Sequence, residues 1–464
     1  MLDETLVRDV LARARRSGSD FAEVYAERWR RRTLRVLNGE VKEATSGLEY
    51  GAGLRLFHGT EVTYGYTNDL TPQGLLALAA TLTALRGQAG RVDERGAGGL
   101  DFRRARARGL HTPRVPFDAH PRRYRLERLL EADGAARVAP EVRQVESVLE
   151  EWEQEVLVAN TEGAWVEDRR VRTRLRVTAI AEDAGVVQTG VAWQGLSVGL
   201  ELLETHPPAA LGRRAGEQAM TNLRARPAPA GTMPVVLGPG FGGVIFHEAV
   251  GHLLETTSVA KKASVLADRL GEPVASPVVT YIDDGTVPHA WGSSEFDDEG
   301  APTERTVLIE RGILRSYLVD RWGALRTGYR PTGSGRRQDY TFAPTSRMRN
   351  TFIGPGTTPL RDLFAQVDDG LYAVGFRGGQ VRPGSGEYNF GVQEAYRIRR
   401  GEIAEPVRGA MLVGKGPETI MRVVAVSDDL ALGAGMCGSL SGSIPTEVGQ
   451  PHVLVSAIVV GGEA

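Results

Sequence analysis

Residues 233–255 read MPVVLGPGFGGVIFHEAVGHLLE. An apolar run at 233–237 has strand character, a glycine-rich turn follows at 238–243, and 244–255 has helical spacing. The helical part holds His247, Glu248 and His252, an H-E-x-x-x-H arrangement. Two imidazoles suit a borderline cation such as Zn²⁺, and a Glu beside them can deprotonate an activated water. In the familiar H-E-x-x-H form the histidines stand four apart on one helix face. Here they stand five apart, which on a regular α-helix turns the second side chain about 140° from the first. Both reach one metal only if the helix is irregular, with a wide turn of the π-bulge kind that Gly251 would ease. The glycine turn itself lacks the Lys-Ser/Thr ending of a phosphate loop, so nucleotide binding is not expected.

A catalytic zinc takes three protein ligands and keeps a position for water. The third must come from elsewhere. Residues 433–455, GAGMCGSLSGSIPTEVGQPHVLV, offer Cys437 in what reads as a Gly/Ser-rich turn between strands. A lone cysteine is commonly a small buried hydrophobe. Beside this motif Cys437 is the leading third ligand, with His452 the second choice.

Outward from the motif, residues 233 onward read as short strands and glycine turns. The first half mixes helices and strands. An amphipathic helix occupies the N-terminus and stops at Gly18. Asn38-Gly39 marks a hairpin, and a second turn falls at His58-Gly59. Thr71-Pro72 opens a helix through Leu85. Residues 88–120, rich in Arg, Gly and Pro, read as an exposed connection. A helix near 121–136, long strands over 142–204, a helix at 208–224 and a Pro/Ala linker at 227–231 complete this half. At 464 residues the chain is too long for one ordinary core. The expected fold is α+β, with a mixed α/β N-terminal region and a largely antiparallel-β C-terminal domain carrying the metal-binding helix. Its expected divisions are an N-terminal α/β domain at 1–120, a central strand-rich segment and linker at 121–230, and a catalytic domain at 231–464.

Composition narrows the function classes. Apolar residues at 41% and charged residues at 25% describe a globular protein, and a net charge of −2 gives no reason to expect nucleic acid or membrane as partner. A single cysteine excludes an internal disulfide, and no stretch has the length of a membrane span. A cytoplasmic location is expected.

The sequence resembles the TldD/PmbA family of peptidases. The likeness is clearest in GFGGVIFHEAVGH, VASPVVTYIDDGT, DDEGAPTERTVLIERGILRSYLVD, TGSGRR, SRMRNTFI and MCGSLSGSIPTEVGQP, and continues more loosely through the first half. TldD-like members keep the motif and the late cysteine, whereas TldE-like partners have lost them. The resemblance therefore implies His247, His252 and Cys437 as ligands of Zn²⁺ and Glu248 as general base. It also implies a dimer enclosing the site, either a homodimer or a heteromer with a metal-free TldE/PmbA-like paralogue. Where relatives often carry L-E-G-D, this chain reads Leu254-Glu255-Thr256-Thr257, so substrate contacts beside the metal are expected to differ.

The expected activity is hydrolysis of peptide bonds in unfolded polypeptides or short peptides. A dedicated leader-peptide maturation protease is the alternative within the same chemistry. A non-catalytic protein of the gyrase-modulator type is a third reading, which the intact Glu248 disfavours because a structural zinc needs no base. Arg336 and Arg337 are candidates for substrate binding, and Tyr388, His289 and His452 are further candidates for stabilising an oxyanion. The acidic pair Asp283-Asp284 and the run 295–299 read as solvated turns. A sheet edge near the metal is expected to receive an extended peptide.

Overall fold

The computed structural model describes residues 1–85, 100–110, 112–382 and 384–462. The first helix, Glu4–Arg15, is capped by Asp3, whose carboxylate accepts from Thr5 N–H at 2.9 Å. Its buried stripe is Val7, Val10, Leu11 and Ala14. With the helix Pro72–Leu85 it covers one face of a sheet formed by β1 (Phe21–Leu37), β2 (Glu40–His58), β3 (Glu61–Thr67), β4 (Arg103–Arg106), β5 (Val142–Asn160), β6 (Ala164–Asp183) and β7 (Val186–Leu196). Asn38 and Gly39 join β1 to β2 with φ of 51° and 78°, the left-handed pair that the Asn-Gly signal demands. Thr71 caps the second helix through Gly74 N–H at 3.2 Å.

The strand order is β3-β2-β1-β5-β6-β4, with β7 also on β6. Strand β1 pairs antiparallel with β5 from Glu23↔Asn160 onward, so the boundary expected at 120/121 falls inside one sheet. Two further helices, Arg122–Ala136 and Pro208–Arg224, pack on the same face against β5, β6 and β7. They approach so closely that a Cβ on Gly212 or Gly216 would lie 2.1 Å from a carbonyl oxygen of the facing helix. Of the connection expected at 88–120, residues 88–99 and 111 lie outside the described residues. Within the rest, β4 pairs in parallel with residues 164–167 of β6 and is not a loop. The strands expected to reach 204 end at Leu196, and Leu202–Thr205 is a helical turn. The proposed linker is also tied down, because Arg226–Pro227 pairs with Val407 and Arg408.

The C-terminal half is built on two large sheets, with a short two-stranded pairing of Gly335–Arg336 and Thr345–Ser346 beside them. In the larger, Asp369–Arg382, Gly231–Leu237, Val453–Gly461, Met411–Lys415 and Glu387–Arg399 pair in succession, and the last returns to the first, closing a ring. The other sheet has six strands in the order Ile313–Leu314, Arg305–Glu310, Tyr281–Asp284, Asn350–Ile353, Gly442–Gln450 and Ala431–Ser439. All its pairings are antiparallel except Asn350–Ile353 with Gly442–Gln450. The helix Val244–Ala249 packs between ring and sheet, inside the largest apolar core. No described helix is long and apolar enough to cross a membrane.

Charged side chains fill the seam between the halves. Arg55 of β2 bridges Glu23 at 2.9 Å and Glu299 at 2.8 Å, and Arg170 of β6 bridges Asp168 at 2.8 Å and Asp298 at 2.6 Å. Within the run at 295–299, expected as a solvated turn, Asp298 and Glu299 are therefore partners in a buried ionic joint. Asp283 is likewise buried in a strand and accepts Arg349 N–H at 2.7 Å. Asp284 does cap a turn, through Thr286 N–H at 2.8 Å, but it too is buried. Sequence shows that acidic residues sit beside turn formers. It does not show that arginines from a distant sheet neutralise them.

Candidate metal centre

The helix Val244–Ala249 ends at Val250, whose φ of −129° and ψ of −48° leave the helical region, and Gly251–Leu254 resumes as a 3₁₀ turn. The expected irregularity between the histidines is present, as a break and not a π-bulge. Its effect is to swing His252 back toward His247, with the ring centroids 5.2 Å apart. Gly251 contributes by size, since a Cβ there would lie 2.2 Å from Met348 Sδ.

Cys437 reaches the same point from Ala431–Ser439, in register with Ile444, so it lies within a strand and not in the turn expected. Its Sγ is 3.3 Å from Nε2 of His247 and 3.3 Å from Nε2 of His252. Glu248 completes the group, with Oε2 3.6 Å from His252 Nε2. Donor atoms of all four residues lie within 4.8 Å of one another. His247 and Cys437 are buried, whereas the side chains of Glu248 and His252 are 28% and 16% exposed. The cluster thus has one open side, and Glu248 stands on it.

Two residues that the sequence reading passed over hold the far edges of the rings. Glu255, buried, accepts from Nδ1–H of His252 at 2.9 Å, and Thr351 Oγ1 lies 2.9 Å from Nδ1 of His247. With Nδ1 occupied, each imidazole presents Nε2 to the shared centre, an arrangement typical of metal-binding histidines. Burial by itself would push the Cys437 thiol up, but His252 and His247 outweigh it and hold the thiol well below its ordinary range. Burial similarly opposes charge on His252, and the Glu255 carboxylate and Cys437 sulfur overcome it, raising His252 well above its usual value. A thiolate and two Nε2 atoms at one point are a fitting donor set for a borderline-soft divalent ion such as zinc.

Other candidates stand elsewhere. His452 is held between Asp429, at 2.6 Å from Nδ1, and Tyr372 Oη, at 3.0 Å from Nε2. Tyr388 lies in the core against Thr419, and His289 is exposed on a turn. Arg336 and Arg337 are both buried, contrary to a role at substrate. Arg336 donates to the carbonyl oxygens of Met348 and Pro445, while Arg337 meets Glu23 at 2.9 Å and Asp298 O at 2.8 Å. The Thr256-Thr257 departure is also internal: Thr256 is fully buried and donates to Asp320 at 3.0 Å, and Thr257 donates to Ser346 O at 3.2 Å. The strand bearing Cys437 is the last of its sheet, but Ala434 and Gly435 carbonyls accept indole N–H bonds from Trp193 and Trp291 at 2.8 and 2.9 Å. The expected edge is present and already covered along that stretch.

The chain is similar to known proteins over nearly its whole length. Family models described as PmbA/TldA metallopeptidase domain 1, central domain and C-terminal domain match residues 22–86, 116–223 and 230–462. A metalloprotease TldD homolog of Haemophilus influenzae is 36% identical over 455 residues, covering 96% of this chain and 93% of that protein. A metalloprotease of Methanothermobacter thermautotrophicus is 34% identical over 445 residues, covering 96% of each. A zinc metalloprotease TldD homolog of Saccharolobus solfataricus is 32% identical over 247 residues, covering 53% of this chain and 55% of its own. Among solved structures, a candidate modulator of a DNA gyrase from Thermotoga maritima has a TM-score of 0.81 at 21% identity, covering 99% of this chain and 100% of that one. TldE from Thermococcus kodakarensis has a TM-score of 0.78 at 18% identity, covering 98% and 100%. These two show the fold. The chain belongs to the PmbA/TldD metallopeptidase family.

Proposed function

We propose that this member of the PmbA/TldD metallopeptidase family hydrolyses peptide bonds in unfolded polypeptides or short peptides. In this reading zinc is held by His247, His252 and Cys437, and Glu248 is the general base. The observation that carries it is the convergence of two Nε2 atoms and a sulfur beside a carboxylate on the cluster's one open side. Bound there, zinc supplies Lewis acidity toward a carbonyl oxygen and makes water a stronger acid. The Glu248 carboxylate takes the proton from the attacking water and passes it to the departing amine. Glu255 keeps Nδ1 of His252 protonated and its Nε2 turned inward. A thiolate gives up more negative charge than an imidazole, so Cys437 tempers the electrophile relative to an all-histidine site. Water and substrate enter where Glu248 and His252 are exposed. A homodimer, or a pair with a metal-free TldE-like partner, belongs to the same reading, and the likeness in fold to TldE supports it.

The test is Glu248→Gln in the full chain, supplied with its partner if one is needed for activity. Zinc content measured by elemental analysis should stay at that of the wild type. Cleavage of a protein held unfolded by reduction should fall by a factor of about 10² to 10⁴, the worth of a general base. Loss of zinc would make Glu248 a ligand, and wild-type cleavage would overturn the mechanism.

A further inference from the structure

Residues 346–353, SRMRNTFI, pass behind all three proposed ligands. Thr351 meets His247, and Met348 N–H donates to Glu255 at 3.3 Å, the same carboxylate that holds His252. Arg347 serves the third. It is wholly buried, and its Nη2 donates to the carbonyl of Cys437 at 2.5 Å. Its Nη1 donates to Ser441 Oγ and to Gly442 O, both at 3.0 Å, so the guanidinium spans the turn that follows the ligand. On its other side Nε stands 4.0 Å from Glu255 Oε1. One planar cation thus faces both the hairpin that carries Cys437 and the carboxylate that aims His252.

We propose that Arg347 is a positioning residue of the metal centre, fixing the Cys437 hairpin against the Glu255–His252 arm and so setting the sulfur-to-nitrogen spacing that admits the ion. The inference rests on the zinc reading above. Cys437 and His252 are 185 residues apart in the chain, and neither the strand nor the 3₁₀ turn fixes their separation alone. A guanidinium suits this task because its rigid fork binds acceptors in several directions at once, which a lysine ammonium on a flexible stem cannot reproduce. Three carbonyl or hydroxyl acceptors with a carboxylate beyond them also offset the cost of burying its charge.

The rival account makes Arg347 a staple of the fold with no bearing on the metal. Cobalt(II) titration of the full-length protein separates the two, because a thiolate-to-cobalt charge-transfer band reports the Cys437 bond directly. Wild type should show the band and Cys437→Ser should lack it. Arg347→Lys, checked for folding by far-ultraviolet circular dichroism, should bind cobalt(II) about 10- to 100-fold more weakly with an altered band, as expected when a ligand loses its support. Wild-type affinity and spectrum in that variant, with only a lowered melting temperature, would overturn the inference and leave the metal reading intact. Absence of the band from wild type would sink both. Should Arg347→Lys fail to fold, Ser441→Ala removes one of its bonds in a hairpin turn. That variant should weaken cobalt(II) about 2- to 10-fold, the worth of one hydrogen bond, and an unchanged affinity would again overturn the proposal.

Discussion

Both oxygens of Glu255 are acceptors in use, one from His252 Nδ1–H and one from Met348 N–H. Glu255→Gln keeps the shape but sets an amide NH₂ against one of those two donors. Zinc affinity, measured by competition with a chromophoric chelator, is expected to fall by about 10- to 100-fold. An unchanged Kd would mean that packing alone orients the imidazole. Nothing in the spacing of residues singled out Glu255, since one acidic residue after a histidine looks like any other. His247, Glu248 and His252 were legible because few other patterns put two imidazoles and a carboxylate within one helical segment. Cys437 was legible because it is the only thiol. The burial of Arg336 and Arg337, candidates for binding substrate, was not legible, because the Glu23 that claims Arg337 lies 314 residues away.

The break at Val250 shows how an element adapts to its ligands. Val250 N–H still reaches Phe246 O at 3.0 Å, and Leu253 N–H turns to Val250 O at 3.0 Å, so the backbone passes from α to 3₁₀ without losing these donors. The five-residue spacing was enough to predict an irregular helix. It could not choose between widening and breaking, because that depends on Met348, which occupies the space beside Gly251. Gly251→Ala is expected to cost about 1 to 3 kcal/mol of stability, since Met348 is itself buried and the added methyl must displace it. Urea denaturation should show Met348→Ala rescuing part of that loss in the double variant. Strict additivity of the two substitutions would exclude the contact.

At the scale of the molecule, the sheet shared by the first two expected regions was hidden because β1 and β5 pair across more than a hundred residues of intervening chain. The buried acids were hidden for the same reason. Glu447, buried with Trp291 N–H at 3.1 Å as donor, has its carboxyl pushed by burial from 4.5 up to about 7. Between those values the folded chain holds a proton that the unfolded chain has lost, so its contribution is full below about 4.5 and disappears as pH rises through 7. Glu447→Gln cannot ionise, and relative to wild type it should gain up to about 3 kcal/mol between pH 4 and pH 8. Denaturant midpoints across that range check this, and parallel curves would refute it. The separation of the ligands carries one more consequence. If the chain cuts extended polypeptides, as proposed, it is surrounded while it is being made by its own unfinished copies, which are such chains. Because the proposed ligands His252 and Cys437 stand 185 positions apart, a chain not yet made as far as Cys437 would lack the site. On that reading, each copy would become able to cut only once it had ceased to be a substrate.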